Sequence, residues 1–207
     1  MNGYEVTECA ACGRTKHRVT LDGEYTFRLY NSEVRQYHIQ QGGILSQESF
    51  LEIQDILCKR GLSRCLHLVK DRDYTQSVLE GKLRDGDYPQ DIIAKVCARL
   101  VKEGFINDGR YARNYVVSYM NTRSRKQITY GLLSKGVSAC LIEEAFNDID
   151  DLYGTDTELD NVRRLLARKL GTMEASALDY EARMKLFAYV GRKGYEYEVI
   201  KKAWDSL

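Results

Sequence analysis

The sequence predicts a mainly α-helical protein, in which tandem three-helix repeats form an elongated curved array after a small N-terminal β-hairpin element. Three observations predict this class. Apolar residues recur at helical spacing from Ser46 onward, similar helices recur after glycines, and Pro89 is the only proline among 207 residues. Because a single three-helix unit buries little apolar surface, stacking on its neighbours is expected to supply much of the core.

Composition and charge are those of a globular protein. The hydrophobic fraction is 43%, the charged fraction 29%, and 31 basic and 30 acidic residues leave a net charge of +1. Contact with phosphates would therefore come from local basic patches. Residues 1–14 lack a signal-peptide core and no 18-residue apolar run occurs, so we expect a cytoplasmic protein without a membrane partner. Four cysteines on apolar stripes are expected to be reduced core residues: Cys58, Cys65, Cys97 and Cys140.

The N-terminal region predicts a hairpin and one short helix. Asp22-Gly23 suits a tight turn that needs positive φ at both central residues. Apolar residues alternate on either side of this turn: Val19, Leu21, Tyr25, Phe27 and Leu29. Ser32 is expected to cap a short helix that reaches Ile39.

The rest of the chain predicts helices with broad apolar faces. Ser46 is expected to cap a helix that carries Phe50, Ile53 and Leu57 and ends near Gly61. The clearest apolar face belongs to a helix that is expected to end at Gly104. It consists of two adjacent rows in which apolar residues recur every four positions: Ile92, Val96, Leu100 and Ile93, Cys97, Val101. Later faces carry Tyr111, Ala112, Tyr115, Val116 and Tyr119, and then Leu159, Val162, Leu166 and Leu170.

A repeat can be anchored on Gly86, Gly136 and Gly194. The sixth residue after each glycine is an isoleucine: Ile92, Ile142 and Ile200. The tenth residue after each glycine is a large or branched apolar residue: Val96, Phe146 and Trp204. We interpret each glycine as the end of one helix before a short turn. The predicted units are an N-terminal extension, a first repeat with a leading helix, and two further three-helix repeats: 1–45, 46–104, 105–150 and 151–207. The acidic stretch 148–160 is expected to be a linker or a solvated turn.

The middle of the chain carries a diffuse but extended motif. Its first half is Gly104, Phe105, Ile106, Asn107, Asp108, Arg110, Tyr111 and Ala112, and its second half is Ile128, Leu132, Lys135, Gly136, Val137 and Ile142. These residues resemble the RecX family, and the resemblance runs from about Lys16 to the end. Three positions depart from the family pattern: Ser124-Arg125 replaces Gly-Pro, Gly131 replaces Glu, and Thr75-x-x-Val78 replaces Ser-x-x-Glu.

Resemblance to this family implies a non-enzymatic regulator that binds RecA recombinase filaments. It implies modulation of recombination, ATPase and coprotease activity, within DNA repair and the SOS response. It also implies that the helical array lies in the groove of the RecA filament on single-stranded DNA. No Walker loop, nucleophile elbow or H-E-x-x-H helix occurs in the sequence, which favours a binding protein over an enzyme. We expect no cofactor and a monomer.

Basic clusters are the candidate RecA-binding or DNA-binding residues. Those of the second repeat are Arg110, Arg113, Arg123, Arg125 and Lys126, and those of the third are Arg163, Arg164, Arg192 and Lys193. Taken singly, each is most simply a solvated charge on a helix face. Repeated from unit to unit, they suit a phosphate backbone or the acidic surface of a partner.

Two alternatives from other classes stay open. One is a helical module that binds single- or double-stranded DNA directly, with an affinity that falls steeply with salt. The other is a zinc-organised interaction protein, for which Cys9, Cys12 and His17 are weak candidate ligands. A structural zinc site needs four ligands, and Asp22 stands where a knuckle would need cysteine. Otherwise, residues 1–14 are expected to be an incidental, mobile N-terminus.

Overall fold

The computed structural model describes residues 3–154 and 157–207, and the chain divides into two compact units at residues 107 and 108. The first unit contains a four-stranded antiparallel sheet and helices, and the described part of the second contains helices only. In the described ranges, no helix has the length and apolarity needed to cross a membrane. A mainly helical protein with a small N-terminal β element is therefore confirmed.

The sheet contains more than the predicted hairpin. Its strands lie in the order β3-β2-β1-β4, with β1 Gly3–Ala11, β2 Lys16–Leu21, β3 Tyr25–Tyr30 and β4 Ile44–Ser46. The β2–β3 hairpin is confirmed, with Asp22 at φ 50° and Gly23 at φ 76°. The prediction of a mobile N-terminus was wrong, because β1 pairs with both β2 and β4. A β-bulge between Val6 and Glu8 breaks the two-residue alternation that marks a strand in a sequence.

Two predicted helix boundaries near the sheet were also wrong. The first helix, α1 (Asn31–Gln36), starts before Ser32, and the Glu33 carboxylate accepts a hydrogen bond of 2.7 Å from the Tyr30 backbone N–H. Helix α2 (Gln47–Val69) begins at Ser46 as predicted but continues past Gly61. A Cβ on Gly61 would lie 3.2 Å from Val96 Cγ2, so this glycine allows close packing and does not end the helix.

The first unit is completed by α3 (Gln76–Arg84) and α4 (Gln90–Lys102). Five of the six residues of the predicted α4 face are buried, whereas Val101 is exposed, and Gly104 adopts φ 78° where the helix ends. One apolar core joins the sheet to the helices, and its largest fully buried members include Leu21, Phe27, Leu29, Ile53, Leu57, Leu79, Leu83, Ile92, Ile93 and Leu100.

The second unit contains two successive groups of three α-helices. They are α5 (Asp108–Tyr119), α6 (Arg125–Leu133), α7 (Ala139–Tyr153), α8 (Thr157–Leu170), α9 (Tyr180–Gly191) and α10 (Tyr197–Trp204). Each group buries its own apolar cluster, around Val116, Ile128 and Leu132 in one and Val162, Leu166 and Val190 in the other. Most of the stretch 148–160, predicted to be a linker or a solvated turn, is helical, since α7 continues to Tyr153 and α8 begins at Thr157. Residues 155 and 156 of that stretch lie outside the described residues.

The register of the first repeat differs by one residue from the prediction. Helix α7 begins at the third residue after Gly136 and α10 at the third residue after Gly194, and the residue three positions before the start of α4 is Asp87. Asp87 has φ 54°, matching the left-handed Gly136 and Gly194, whereas Gly86 has no positive φ. The isoleucine equivalent to Ile142 and Ile200 is therefore Ile93, not Ile92, and Cys97 replaces Val96. The sequence alignment of the repeats relied on glycine at the left-handed position, whereas the first repeat has aspartate there. Aspartate tolerates the left-handed conformation better than most residues do.

Candidate partner-binding surface

Two of the predicted basic residues hold the second unit together. Arg113 Nη1 lies 2.7 Å from Asp148 Oδ2, and Arg125 Nη1 lies 2.6 Å from Asp150 Oδ2. The Arg125 guanidinium also lies 4.2 Å from the ring centroid of Phe146, and its backbone N–H donates to Glu158 Oε1 at 2.7 Å. The acidic residues expected to be solvated are therefore partners of these arginines, which leaves both less available to a ligand.

Arg123 is engaged by the tyrosine row of α5. Its guanidinium carbon lies 4.0 Å from the ring centroid of Tyr119, and Nη1 lies 3.4 Å from Tyr115 Oη. A Cβ on Gly131 would lie 2.4 Å from that Tyr115 hydroxyl. Gly131, the departure from the family's glutamate, therefore leaves room for the phenol against α6.

The other departure, Ser124, joins the two three-helix groups of the second unit. Its fully buried side chain caps α6 by accepting a 3.2 Å hydrogen bond from the Gln127 N–H, and it donates to the Lys193 carbonyl at 2.8 Å. A Cβ on Gly194 would lie 2.7 Å from Ser124 Oγ. Only glycine at this turn allows so close an approach.

The remaining candidate cations differ in how far interactions within the protein engage them. Lys126, Arg110 and Arg192 are exposed. In the described part of the chain, neither Lys126 nor Arg192 forms an ion pair or a side-chain hydrogen bond. Arg163 donates to Asp160 at 3.1 Å and to Ser206 at 2.8 Å, so it is partly engaged.

Lys193 belongs to a cluster that forms around one tyrosine. The Nζ atoms of Lys169 and Lys193 lie 4.7 Å and 5.3 Å from the ring centroid of Tyr189. Because both lysines share one ring, this surface is positively charged and partly apolar.

Arg164 lies beside a small polar cleft of about 240 Å³. Its guanidinium donates to the Asn121 carbonyl at 3.2 Å and to Asn161 Oδ1 at 2.6 Å. Asn161 is buried and donates to the Met120 carbonyl at 2.6 Å. The cleft is lined by Asn121, Thr122, Asn161, Arg164, Leu165, Arg168 and Tyr195, with no carboxylate among them.

Sequence reasoning missed Asn161 and Tyr195 as parts of this site. The available signal was weak: Asn161 lies beside the apolar stripe of Leu159 and Val162, where a polar residue is unusual. Burial and the charge of Glu158 raise the pKa of the Tyr195 hydroxyl, and contact with the Asn161 side chain opposes this shift. In the described ranges this buried hydroxyl has no acceptor for its proton.

A larger groove of about 780 Å³ lies between the two three-helix groups of the second unit. Its lining includes Arg125 and Lys126 and also three carboxylates, those of Glu143, Glu158 and Glu196. Such mixed charge favours neither a phosphate backbone nor an acidic protein.

The N-terminal metal candidates lie in or beside the sheet. Cys9 pairs with Val19 across β1 and β2, and His17 pairs with Ala11. Burial raises the pKa of the Cys9 thiol, which disfavours the thiolate that zinc binds. Within residues 3–154 and 157–207, no three His, Cys, Asp or Glu side chains gather as a metal site.

The fold and the surface together define a class: an N-terminal antiparallel sheet followed by groups of three helices that present exposed basic side chains. Family models for the second and third three-helix domains of RecX match residues 107–145 and 156–204. The regulatory protein RecX of Streptomyces lividans is 34% identical over 134 residues, covering 63% of this chain and 68% of the relative. The chain belongs to the RecX family of regulatory proteins.

Other relatives extend this similarity over nearly the whole chain. The regulatory protein RecX of Clostridium perfringens (strain 13 / Type A) is 27% identical over 201 residues, covering 94% of this chain and 92% of the relative. The crystal structure of RecX from Lactobacillus salivarius matches with a TM-score of 0.62 and 25% identity, over 74% of this chain and 97% of that one. Another crystal structure of regulatory protein RecX, at 21% identity and TM-score 0.63, covers 98% of this chain and 99% of the other and shares the fold.

Proposed function

We propose that this protein binds RecA recombinase filaments and modulates recombination, ATPase and coprotease activity without making or breaking a covalent bond. Membership of the RecX family is the observation that carries the proposal. The mechanism is steric and electrostatic: the helices occupy space between filament subunits, and exposed cations contact the acidic partner.

The contact cations we propose are Lys126 and Arg192, together with Arg110. Lys126 and Arg192 are exposed and have no partner in the described part of the chain, so binding a partner breaks no internal interaction. Arg113, Arg123 and Arg125 are assigned to the internal structure instead, because reversing their charge would break ion pairs and ring contacts. A loss of binding by those variants would then report unfolding as much as recognition.

The test is ATP hydrolysis by RecA on single-stranded DNA as the protein is titrated in. We expect inhibition by the wild-type protein well below one molecule per RecA. The double variant Lys126→Glu, Arg192→Glu is expected to need about tenfold more protein, since each rim charge typically contributes on the order of 1 kcal/mol or less.

A matched control is Arg14→Glu, Arg84→Glu, which makes the same charge change at exposed positions of the first unit. This control is expected to inhibit like the wild type. Equal weakening by both double variants would mean that net charge, not this surface, governs binding. No inhibition by the wild type at excess would contradict the proposed function.

Direct action on DNA is the second candidate function, and the carboxylate-free cleft beside Arg164 favours it. A DNA-binding module would bind naked DNA with a steep salt dependence and would not require RecA.

A further inference from the structure

The small cleft of the second unit contains donors that the helical fold does not use. It lies between the turn that follows α5 and the exposed side of α8, with Tyr195 at its base. Arg164 and Arg168 are four residues apart on α8 and therefore lie on the same face. Two like charges at this spacing destabilise a helix unless an anion lies between them.

Arg164 is already held in one orientation. Its Nε donates to the Asp160 carbonyl at 3.3 Å, and its Nη2 donates to the Asn121 carbonyl at 3.2 Å and to Asn161 Oδ1 at 2.6 Å. All of these acceptors are neutral, so the guanidinium keeps its full charge, and its Nη1 donors form no hydrogen bond in the described part of the chain. A guanidinium that is fixed before binding loses little conformational entropy when it contacts an anion.

The other donors are placed to complete an anion site. The exposed Arg168 lines the cleft and has no ion-pair partner in the described ranges, whereas the Thr122 hydroxyl at the rim already donates to the Tyr119 carbonyl at 3.2 Å. Tyr195 is only 5% exposed and lies beside the Asn161 side chain, yet its hydroxyl proton has no acceptor within the described residues. A buried donor without an acceptor is costly, and a native structure that keeps one frequently uses it for a ligand.

We propose that this cleft binds a phosphate group between Arg164 and Arg168. Neither carboxylate in the first turn of α8 lines the cleft: Glu158 accepts a hydrogen bond from the Arg125 backbone N–H, and Asp160 pairs with Arg163 at 3.1 Å. A volume of about 240 Å³ accommodates a tetrahedral anion, and planar guanidinium groups bind phosphate through paired hydrogen bonds. Lys169 of α8 and Lys193, in the turn after α9, both lie over the ring of Tyr189 and raise the local positive potential.

The phosphate has two possible sources, the phosphodiester backbone of a nucleic acid or a small phosphorylated molecule. The test uses the full chain, labelled with 15N, in two titrations followed by NMR: inorganic phosphate first, then a short single-stranded oligodeoxythymidine. We expect saturable shifts at the backbone amides of Asn121 and Thr122, at the side-chain amide of Asn161 and at the Nε–H groups of Arg164 and Arg168.

The variant for the test is Arg168→Gln, because the Arg168 side chain holds no other part of the fold in the described residues. It is expected to weaken phosphate binding about tenfold, the usual effect of losing one charge-assisted contact. Arg14→Gln, which removes one exposed arginine of the first unit, is the matched control and is expected to bind phosphate like the wild type.

Two outcomes support the site and separate the sources. Displacement of phosphate by the oligonucleotide at the same residues identifies a nucleic-acid backbone, and saturable phosphate binding without displacement identifies a small phosphorylated ligand. The proposal is overturned if phosphate shifts none of these groups, or if Arg168→Gln binds phosphate as tightly as the wild type does. No recombinase is present, so failure here leaves the RecA assay as a separate test.

Discussion

The same turn of the three-helix repeat has different partners in the two compact units. In the first unit its left-handed residue is Asp87, whose Oδ2 accepts hydrogen bonds of 2.8 Å from both Arg18 and Arg28 of the sheet. In the second unit it is Gly194, against which the side chain of Ser124 packs. One repeat therefore attaches to the N-terminal sheet through charge, and the other attaches to the preceding helices through close backbone approach.

This difference has an energetic consequence. The ion pairs of Asp87 are partly exposed, with 45% of the Arg18 side chain open to solvent, so each contributes little to stability. The Ser124 side chain is fully buried and leaves no space for a side chain on Gly194. We therefore expect the second unit to be the more sensitive of the two to a change at this turn.

The largest effect is expected for Gly194→Ala. A Cβ at φ 86° is strained, and this one would lie 2.7 Å from Ser124 Oγ, so we expect a loss of about 3 kcal/mol of unfolding free energy. Urea unfolding followed by the fluorescence of Trp204, the only tryptophan, measures the unit that contains the change.

Gly191→Ala provides the control for that substitution. A Cβ on Gly191, the last residue of α9, meets nothing within 4 Å, and alanine favours the helix there by about 0.5 kcal/mol. If Gly194→Ala is tolerated as well as Gly191→Ala, the close approach to Ser124 does not join the two three-helix groups.

An intermediate effect is expected at Asp87. Asp87→Gly keeps the left-handed turn but removes the carboxylate, and should cost about 1 kcal/mol. Asp87→Ala should cost about 2 kcal/mol, since alanine adds backbone strain at positive φ. Hydrogen exchange of the β2 and β3 amides measures the effect, with Trp204 fluorescence as the control for the second unit. A stabilised Asp87→Gly variant would show that the two arginines contribute nothing at this turn.

The smallest effect is expected for Tyr195→Phe, at the residue that follows Gly194. Removing a buried hydroxyl that has no acceptor in the described ranges should raise the unfolding free energy by about 0.5 kcal/mol in phosphate-free buffer. Tyr189→Phe, on a partly exposed ring, should leave it unchanged. Destabilisation of Tyr195→Phe by more than about 1 kcal/mol would mean that the hydroxyl has a partner in the free protein.

Local patterns predicted much of this fold. The Asp22-Gly23 turn and the α4 stripe that ends at Gly104 were predicted correctly, because turn chemistry and helical periodicity act between near neighbours. The strand Gly3–Ala11 was missed because its bulge interrupts the alternation, and Gly61 was read as a helix end although it serves close packing.

The surface was less predictable, because its character depends on residues far apart in the sequence. Arg113 is 35 residues from Asp148 and Arg125 is 25 residues from Asp150, so their ion pairs leave no local pattern. The cleft beside Arg164 is likewise lined by residues from two segments, the turn after α5 and a helix about forty residues later in the sequence. A run of basic residues in the sequence therefore indicates a positively charged surface. Which of these residues can contact a partner depends on the ion pairs and ring contacts that form within the folded protein.

Co-sedimentation of this protein with RecA filaments on single-stranded DNA tests the proposed function most directly. The same measurement with naked single-stranded DNA, at equal protein and salt concentrations, gives the reference. We expect the protein to sediment with the filaments at concentrations where naked DNA retains little of it. Equal retention by naked DNA and by filaments would exclude RecA as the required partner and identify DNA itself as the partner.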